Sequence, residues 1–406
     1  MSDYPPDWEV LSLGEVVEKI TSGGTPKADN PDLYGGNIPF LKIDDITSSS
    51  KYLRNHKVTI NERGLSESSA KIVPTGTLLL TMYGTIGRCC ITTYPVATNQ
   101  AIASFLGHPR VELEYLYYAL ESKADEFAVA SSQTTQANIS AGILKQTPIA
   151  IPPLPEQKKI AEILSGIDRR SNVLSKQIAK EEALFTSFQD QLLESIASTA
   201  FAPMHRHDSQ LKTLPIANLF EVQLGKMLNK EAKEHGHQFQ YLGNKNIQQW
   251  NPDIRHLELM HFSEDEKRKF SLRSGDLLVC EGGDAGRCCI WEETDAEIYY
   301  QKAIHRMRPR SGECTPAFMM HYLAYCKSRN LLSDFISKTS ISHLTREKLL
   351  EIPIAIPSLE EQSSIVEKLE SQRKLIAKLF SKSNILKDIK SAVSSDLLSG
   401  RKRVSI

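Results

Sequence analysis

The chain repeats itself, and that repeat constrains its fold more than any other feature. Val73–Ile91 (VPTGTLLLTMYGTIGRCCI) aligns without gaps on Leu272–Ile290 (LRSGDLLVCEGGDAGRCCI), with 9 of 19 positions identical. Gln133–Leu164 aligns on Lys338–Leu369, with 13 of 32 identical. Weaker matches precede these blocks, Ile38–Ile46 on Phe239–Ile247 and Leu11–Ile20 on Leu214–Gln223, and the order is the same in both halves. A solenoid or propeller needs a shorter period and more copies. The 406 residues are therefore two copies of one unit of about 200.

Each unit has a mixed globular part followed by a helical part. Thr77–Tyr83 and Asp276–Cys280 read as strands bounded by Gly and Pro. Leu113–Leu120 and Phe318–Leu323 read as short helices packed on a sheet. The PIAIP segments, Pro148–Pro152 and Pro353–Pro357, read as edge strands, because proline cannot donate to a central ladder.

After each PIAIP the apolar period lengthens from 2 to 3.5. Pro155 can sit in a first helical turn, and Ser358 with Glu361 forms a capping box. Alternating steps of 4 and 3 give a first seam of Ile160, Leu164, Ile167, Ser171, Leu174, Ile178, Glu181, Phe185, Phe188 and Leu192. The second is Ile365, Leu369, Gln372, Ile376, Leu379, Ser383, Leu386, Lys390, Val393 and Leu397. Such patterning over about five heptads predicts coiled-coil helices. A rod of roughly 60 Å at 1.5 Å per residue outruns a small domain, so the two helices are expected to pair with each other. Antiparallel pairing returns the second helix to the first domain and makes neighbours of Trp8 and Gly400. The expected divisions are 1–153 and 201–357 for the globular domains, 154–200 for the first helix, and 358–406 for the second helix with a basic tail.

Composition narrows the function classes. With 40% hydrophobic and 24% charged residues the chain is an ordinary folded protein. No apolar run approaches a membrane span, and the acidic start of the chain does not read as a signal peptide, so the expected compartment is the cytoplasm. The seven cysteines lack zinc spacing, and His205/His207 and His235/His237 lie in polar stretches, so no metal site is expected. Net charge is zero, with 49 basic and 49 acidic residues; residues 1–153 carry 12 against 16, and 358–406 carry 10 against 6. The bulk signature of a nucleic-acid binder is thus missing. Geometry points the other way, since paired modules on a fixed spacer match the dyad of duplex DNA. The same geometry could equally scaffold proteins.

Enzyme motifs are absent. Asn37-Ile38-Pro39-Phe40 lacks the second proline of a base-gripping N/D-P-P-F/Y motif, and no Gly-rich cofactor loop accompanies it. No G-x-x-x-x-G-K-[ST] loop exists; Gly225-Lys226 has no partner glycine, and Thr21–Thr25 reads as a tight loop.

One set of motifs recurs in order along nearly the whole chain. It comprises W-x-x-x-x-L-G-E-V-V (Trp8–Val17), S-G-G-T-P (Ser22–Pro26), G-x-I-P-F-L-K-x-x-D-I (Gly36–Ile46), P-x-G-T-L-L-L…G-x-I-G (Pro74–Gly87), T-N-Q-A-I (Thr98–Ile102) and I-P-x-L-P-E-Q-x-x-I-A-x-I-L-x-x-I-D (Ile151–Asp168). Together they resemble the specificity subunit of type I restriction-modification enzymes. The second copy departs from the pattern, with no S-G-G-T-P and with GGDAG at Gly282–Gly286. The resemblance implies an α+β fold of two pseudo-symmetric mixed α/β target recognition domains separated by two long antiparallel coiled-coil helices. Each domain would read one half of a bipartite double-stranded DNA target. The helices would space the halves and dock two methylation subunits, with restriction motor-nuclease subunits added in a full complex. S-adenosylmethionine, ATP and magnesium would belong to those partners, leaving this chain non-catalytic and without a cofactor. A methylation-only or type IIB-like assembly is the alternative within the family.

Base reading calls for Arg or Lys at guanine and Asn or Gln at adenine, with phosphate contacts from basic side chains. Two stretches per copy supply such groups. After the central strand come Tyr83, Thr85 and Arg88, and Asp284 and Arg287; the shared spacing also gives Arg88 and Arg287, with Gly87 and Gly286, a structural reading. Before PIAIP come Gln133, Thr134, Thr135, Gln136 and Asn138, and Lys338, Ser340, Ser342, His343 and Arg346. Further basic candidates are Lys42, Lys51, Arg54, Lys57, Lys226, Lys230 and Lys245.

Overall fold

The computed structural model describes residues 4–132, 138–202, 211–228, 236–292, 297–338 and 342–405. The chain divides into two compact units, Met1–Ser175 with Ser381–Ile406, and Lys176–Phe380. Each unit therefore takes half of each long helix, and each shows the same construction.

In the first unit the central strand Leu78–Thr81 lies between Ile102–Leu106 and Cys89–Ile91, with Lys19–Ser22 outermost beyond Ile102–Leu106; all pairings are antiparallel. A second sheet runs Val58–Ile60, Tyr34–Leu41, Val96–Thr98, Ile72–Val73, and its central pair is parallel. The second unit repeats the plan: Phe220–Leu224, Ile304–Pro309, Leu277–Cys280 and Cys288–Ile290 form the antiparallel sheet. Its smaller sheet orders Glu258–His261, Gln238–Leu242 and Ile298–Tyr300, again with one parallel pair.

Alternation explains the apolar run of each central strand. Leu78 and Leu80 enter one core with Phe105 and Tyr115, while Leu79 enters another with Leu41 and Ile102. Leu277 and Val279, against Leu278 and Cys280, divide in the same way. A strand covered on both faces reads as continuously apolar. The adjacent cysteines follow suit: Cys89 and Cys90 point into different cores, as do Cys288 and Cys289. They are free thiols used as small buried side chains, and burial pushes Cys90 and Cys288 up to about 12.

Both PIAIP segments are edge strands as expected. Among the described residues, Pro148–Ile151 pairs only with Glu9–Ser12, and Pro353–Ile356 only with Lys212–Pro215. The short helices expected to pack on a sheet form at Leu113–Glu121 and Pro316–Ser328, and both are largely buried.

The long helices span Leu154–Ala200 and Leu359–Leu398. Ser358 and Glu361 make the capping box, with N–H to carboxylate at 2.9 Å and N–H to hydroxyl at 3.2 Å. The helices pair antiparallel within each unit. In the first, Ile160, Leu164 and Ile167 share a core with Val393 and Leu397. In the second, Phe185 and Leu192 share one with Ile365 and Leu369. Polar positions in the seams find partners. Gln372 Nε2 donates to Glu181 Oε2 at 2.7 Å, and Lys390 sits 2.8 Å from Asp168. Buried polar partners of this kind fix register. The fold class is that expected.

All ten positions of the second seam are shielded: Leu386 and Ile376 are half-buried while Leu375, Ile385 and Ile389 face outward. Leu174 and Ile178 are likewise covered in the first helix. Phe188 is the exception, at 37% exposed. The buried stripe passes instead to Gln189 (8%) and Leu193, then Ile196 and Ala200. A straight helix of 3.6 residues per turn drifts from a 3.5 repeat by about 20° per heptad. Here the helix end packs on its own domain, beside Ile216 and Leu219, so nothing imposes supercoiling on it.

In the first unit the chain ends meet, as antiparallel pairing requires. Gly400 has no room for a side chain against Pro5, with Trp8 beyond. Arg403 forks onto Asp7 at 2.7 and 2.9 Å and onto Glu156 at 2.7 Å.

In the second unit, fully buried His321 reaches Glu370 of the long helix at 3.0 Å, and Arg373 holds the same carboxylate at 2.7 Å. Burial alone would raise the Glu370 pKa, but these two partners hold it at about 2, below its ordinary 4.5. A depressed folded-state value adds stability above about 4.5 that disappears as pH falls toward 2. The expected contribution is on the order of 3 kcal/mol. Melting temperature should therefore fall more steeply between pH 5 and 3 in the wild type than in Glu370→Gln. Parallel pH profiles would refute the assignment.

Candidate nucleic-acid interface

The two candidate stretches of each copy, far apart in sequence, form one surface in the fold. In the first unit Tyr83 and Asn138 make an antiparallel bridge, and the Ile139 N–H donates to the Met82 carbonyl at 3.0 Å. In the second, Gly282 bridges His343, and the Leu344 N–H donates to the Glu281 carbonyl at 2.7 Å. These are equivalent places in the repeat. The loop between the bridge and the Cys-Cys strand turns through left-handed glycines at the same positions, Gly84 and Gly87 in one unit and Gly283 and Gly286 in the other. The shared left-handed backbone explains why the two glycines of G-x-x-G recur, and at Gly87 a β-carbon would also lie 2.9 Å from the Ala124 backbone.

What the loops present differs. Tyr83, Thr85 and Arg88 are exposed. The Thr85 carbonyl accepts from the Thr81 hydroxyl, and the Arg88 N–H donates to the same hydroxyl at 3.0 Å, so backbone bonds hold the loop while the side chains stay outside. In the second unit Arg287 turns inward and donates from Nη2 to the Asn244 carbonyl at 2.9 Å. The structural reading of that arginine holds for Arg287 and fails for the Arg88 side chain. Asp284 is paired with Lys327 and stands 3.7 Å from Arg287. Ser342 and His343 are half-buried at the bridge, and Arg346 donates from Nε to the Val222 carbonyl at 2.8 Å. Gln133, Thr134, Thr135, Gln136, Lys230 and Ser340 lie outside the described residues, as does the side chain of Lys338.

The basic candidates separate into two groups. Lys42, Arg54 and Lys57 are exposed, with Lys57 4.0 Å from Asp44. Lys245 is exposed but held by Glu258 at 2.5 Å. Lys51 and Lys226 offer no free charge, which corrects the sequence reading. Lys51 is 9% exposed, 2.5 Å from Glu114 and 2.6 Å from Ser165. Lys226 is 2.6 Å from Glu266 and donates to the His261 carbonyl at 2.7 Å. A lysine is placed inside only with partners that satisfy its ammonium, and periodicity alone does not reveal such partners.

Three features of the site were missed in sequence. The missing S-G-G-T-P of the second copy is replaced in space by Gln223-Leu224-Gly225-Lys226. Gly23 and Gly225 follow equivalent strands, and each presses on the end of the smaller-sheet strand that leads into the next strand of its own sheet, with ideal β-carbons 1.7 Å from the oxygen of Thr98, last residue of Val96–Thr98, and 2.3 Å from the oxygen of Gln301, just after Ile298–Tyr300. Next, Thr25 donates to Gln100 at 2.6 Å, tying S-G-G-T-P to T-N-Q-A-I. Third, Asn244 donates to the Gly282 carbonyl at 2.9 Å and so pins the glycine loop. Its only sequence signal was the weak match of Phe239–Ile247 to Ile38–Ile46. In that match Asn246 takes the role of Asp45: each side-chain oxygen accepts the N–H three residues earlier, at 2.9 and 2.8 Å. Beside the bridge, burial raises the Glu281 carboxyl, opposed by Lys302 and His343.

Among the described residues no three His, Cys, Asp or Glu side chains gather as a metal ion would require. Among them, no helix is long and apolar enough to cross a membrane.

The type I restriction modification DNA specificity domain matches residues 5–181 and again 209–387. The MjaVIII specificity subunit of Methanocaldococcus jannaschii is 23% identical over 420 residues, covering 98% of this chain and 94% of that one. The MjaIX specificity subunit of the same organism is 31% identical over 186 residues, 44% of this chain and 43% of its own length, so that match spans less than half of either protein. Among solved structures, the S subunit of a type I restriction-modification system from M. genitalium superposes with a TM-score of 0.59 at 15% identity, covering all of both chains. A chain from a study of complex assembly in the type I R-M system gives 0.60 at 17%, covering 97% of this chain and 98% of its own. At such identities the likeness is one of fold. Two successive matches to one family domain take in most of the sequence, and the chain belongs to the type I restriction-modification DNA specificity family.

Proposed function

We propose that this chain is the non-catalytic, DNA-reading subunit of a type I restriction-modification complex in the cytoplasm. Each globular domain reads one half of a bipartite duplex target through the surface where its glycine loop meets the segment before PIAIP. The paired helices space the two readers and dock two methylation subunits. Those partners bring S-adenosylmethionine, and motor-nuclease subunits, where present, bring ATP and magnesium. The reading rests on one observation above all. Both units build the same backbone bridge between the same two loops but place different residues at it, Tyr83 and Asn138 in one and Gly282, which has no side chain, with His343 in the other. One frame with two faces suits two different half-sites.

The excess of acid in residues 1–153, 16 groups against 12, leaves little counterion release for the first domain alone. The methylation subunits then supply most of the phosphate grip, and the isolated chain binds DNA weakly. Exchange of residues 8–153 for the corresponding domain of another family member tests the reading. Expressed with the methylation subunits, the chimera should methylate a target with one half changed and the other half retained. Methylation that keeps both halves would overturn it in favour of a protein scaffold.

A further inference from the structure

Each globular domain is fastened to its own stretch of the paired helices by a side-chain cluster of buried and half-buried groups, and the two clusters occupy equivalent places with different chemistry. Their alignment is anchored by Glu112 and Thr315. Glu112 caps Leu113–Glu121 and Thr315 caps Pro316–Ser328, and both donate a backbone N–H to the glutamine of the following E-Q pair, Gln157 at 2.7 Å and Gln362 at 3.0 Å. Counting from there, Tyr118 corresponds to His321, Ser165 to Glu370, Asp168 to Arg373 and Lys390 to Phe185. The loop bridging the Cys-Cys-Ile strand brings Lys51 to the cluster in the first unit and Trp250 in the second.

The first cluster is ionic. Lys51 joins Glu114 and Ser165, the Tyr118 hydroxyl donates to Asp168 at 2.6 Å, and Lys390 lies between Asp168 at 2.8 Å and Glu121 at 3.2 Å. The second is aromatic on the domain side and ionic on the helix. The Trp250 ring lies 5.9 Å from Phe185 and 5.0 Å from His321, and His321 meets the Glu370–Arg373 pair. Trp250 has a φ of 82°, a conformation a non-glycine residue holds only when its surroundings impose it.

The chemistries do not interchange. Ala317 and Ala324 stand where Glu114 and Glu121 stand in the first copy. The first domain set on the second stretch would put Glu114 against Glu370. The second domain set on the first stretch would leave Lys390 without Glu121 and would turn Trp250 toward a lysine and an aspartate. Breaking a buried charge pair on one side only is strongly unfavourable.

We propose that these clusters are positioning keys: each fixes the orientation of one domain on one stretch of the helices, and the domains cannot trade places unless the helix residues move with them. Tyr118, Lys390, His321 and Glu370 are thus positioning residues, acting through the domain they hold. The proposal concerns assembly of the chain and does not depend on DNA reading.

Three full-length variants test it. One carries the domain-side exchange, Lys51→Trp, Glu114→Ala, Tyr118→His and Glu121→Ala. Another carries the helix-side exchange, Ser165→Glu, Asp168→Arg and Lys390→Phe. The third carries all seven. Each half-exchange should lower the melting temperature by about 5 °C or more, and the complete exchange should recover at least half of that loss. Orientation is read by spin labels at Glu62→Cys and Val173→Cys, since the seven native cysteines are buried. The inter-label distance should be narrow in the wild type and the complete exchange, and broad or displaced in either half-exchange. If the half-exchanges fail to fold, the cycle Tyr118→Phe, Asp168→Asn and their double mutant replaces them, and non-additive losses are expected. Half-exchanges matching the wild type in both readouts, losses that simply add in the complete exchange, or an additive cycle would each overturn the proposal.

Discussion

Gly23→Ala should destabilise the first unit by at least about 3 kcal/mol, because the added methyl has nowhere to go. Its carbon would sit 1.7 Å from the Thr98 carbonyl oxygen and 2.5 Å from the carbonyl carbon. The obstacle is backbone, so no rotamer change relieves it. Gly225→Ala should do the same in the second unit, where the Gln301 oxygen lies at 2.3 Å and the Tyr300 oxygen at 2.6 Å. The strands that come after Thr98 and Gln301, Ile102–Leu106 and Ile304–Pro309, lie next to the central strand of their sheet, so the damage enters the core. Gly166→Ala should act with the opposite sign. It sits within the first long helix with only the tip of Arg169, 3.9 Å away, in reach. Replacing glycine there should add roughly 0.5–1 kcal/mol. Chemical unfolding followed by circular dichroism measures all three. A Gly23→Ala chain as stable as the wild type would remove the claim that Gly23 and Gly225 do the same work.

Gln157→Leu and Gln362→Leu come next in size, at about 3 kcal/mol each. Leucine fills the space but makes none of the bonds. Gln157 is 1% exposed and Gln362 fully buried. Gln157 accepts the Glu112 N–H at 2.7 Å and donates to the Pro152 carbonyl at 2.8 Å. Gln362 accepts the Thr315 N–H at 3.0 Å and donates to the carbonyls of Pro357 and Glu313 at 3.0 and 2.7 Å. One side chain thus ties the end of the edge strand, the first turn of the long helix and the start of the shorter buried helix. Without it, the buried backbone groups it meets beyond the edge strand and at the start of the shorter helix lose their partners. Amide exchange at Glu112 and Thr315 should accelerate in the respective variants, along with a lower melting temperature. Unchanged exchange at those two amides would show that the glutamines are not the ties.

Much of this architecture was legible in the residues. The seams of both helices, the edge strands of PIAIP and the meeting of Trp8 with Gly400 followed from periodicity, the chemistry of proline and the connectivity of a duplicated chain. Part of the candidate interface was legible too, because Tyr83 and Asn138 belong to blocks that recur with their counterparts Gly282 and His343. The faults lay where a one-dimensional pattern has no access to partners. Lys51 and Lys226 looked like free cations and proved to be satisfied by Glu114 and Glu266. Phe188 fitted a strict heptad and proved to face outward. Gly225 carried no motif and proved to stand in the place of Gly23.

The sequence by itself determined that there are two units, that each ends in a long helix, and that the helices need each other. Covalent spacing and apolar period are local properties, and a duplicated chain states them twice. Only the tertiary structure decided which lysines are paired inside and which stand in solvent, which glycine replaces a lost motif, and how each domain is fastened to its helices. Those outcomes depend on which groups close a hydrogen bond or an ion pair across long separations in the chain. Whether a charge is paired inside or left in water depends on what the fold brings beside it.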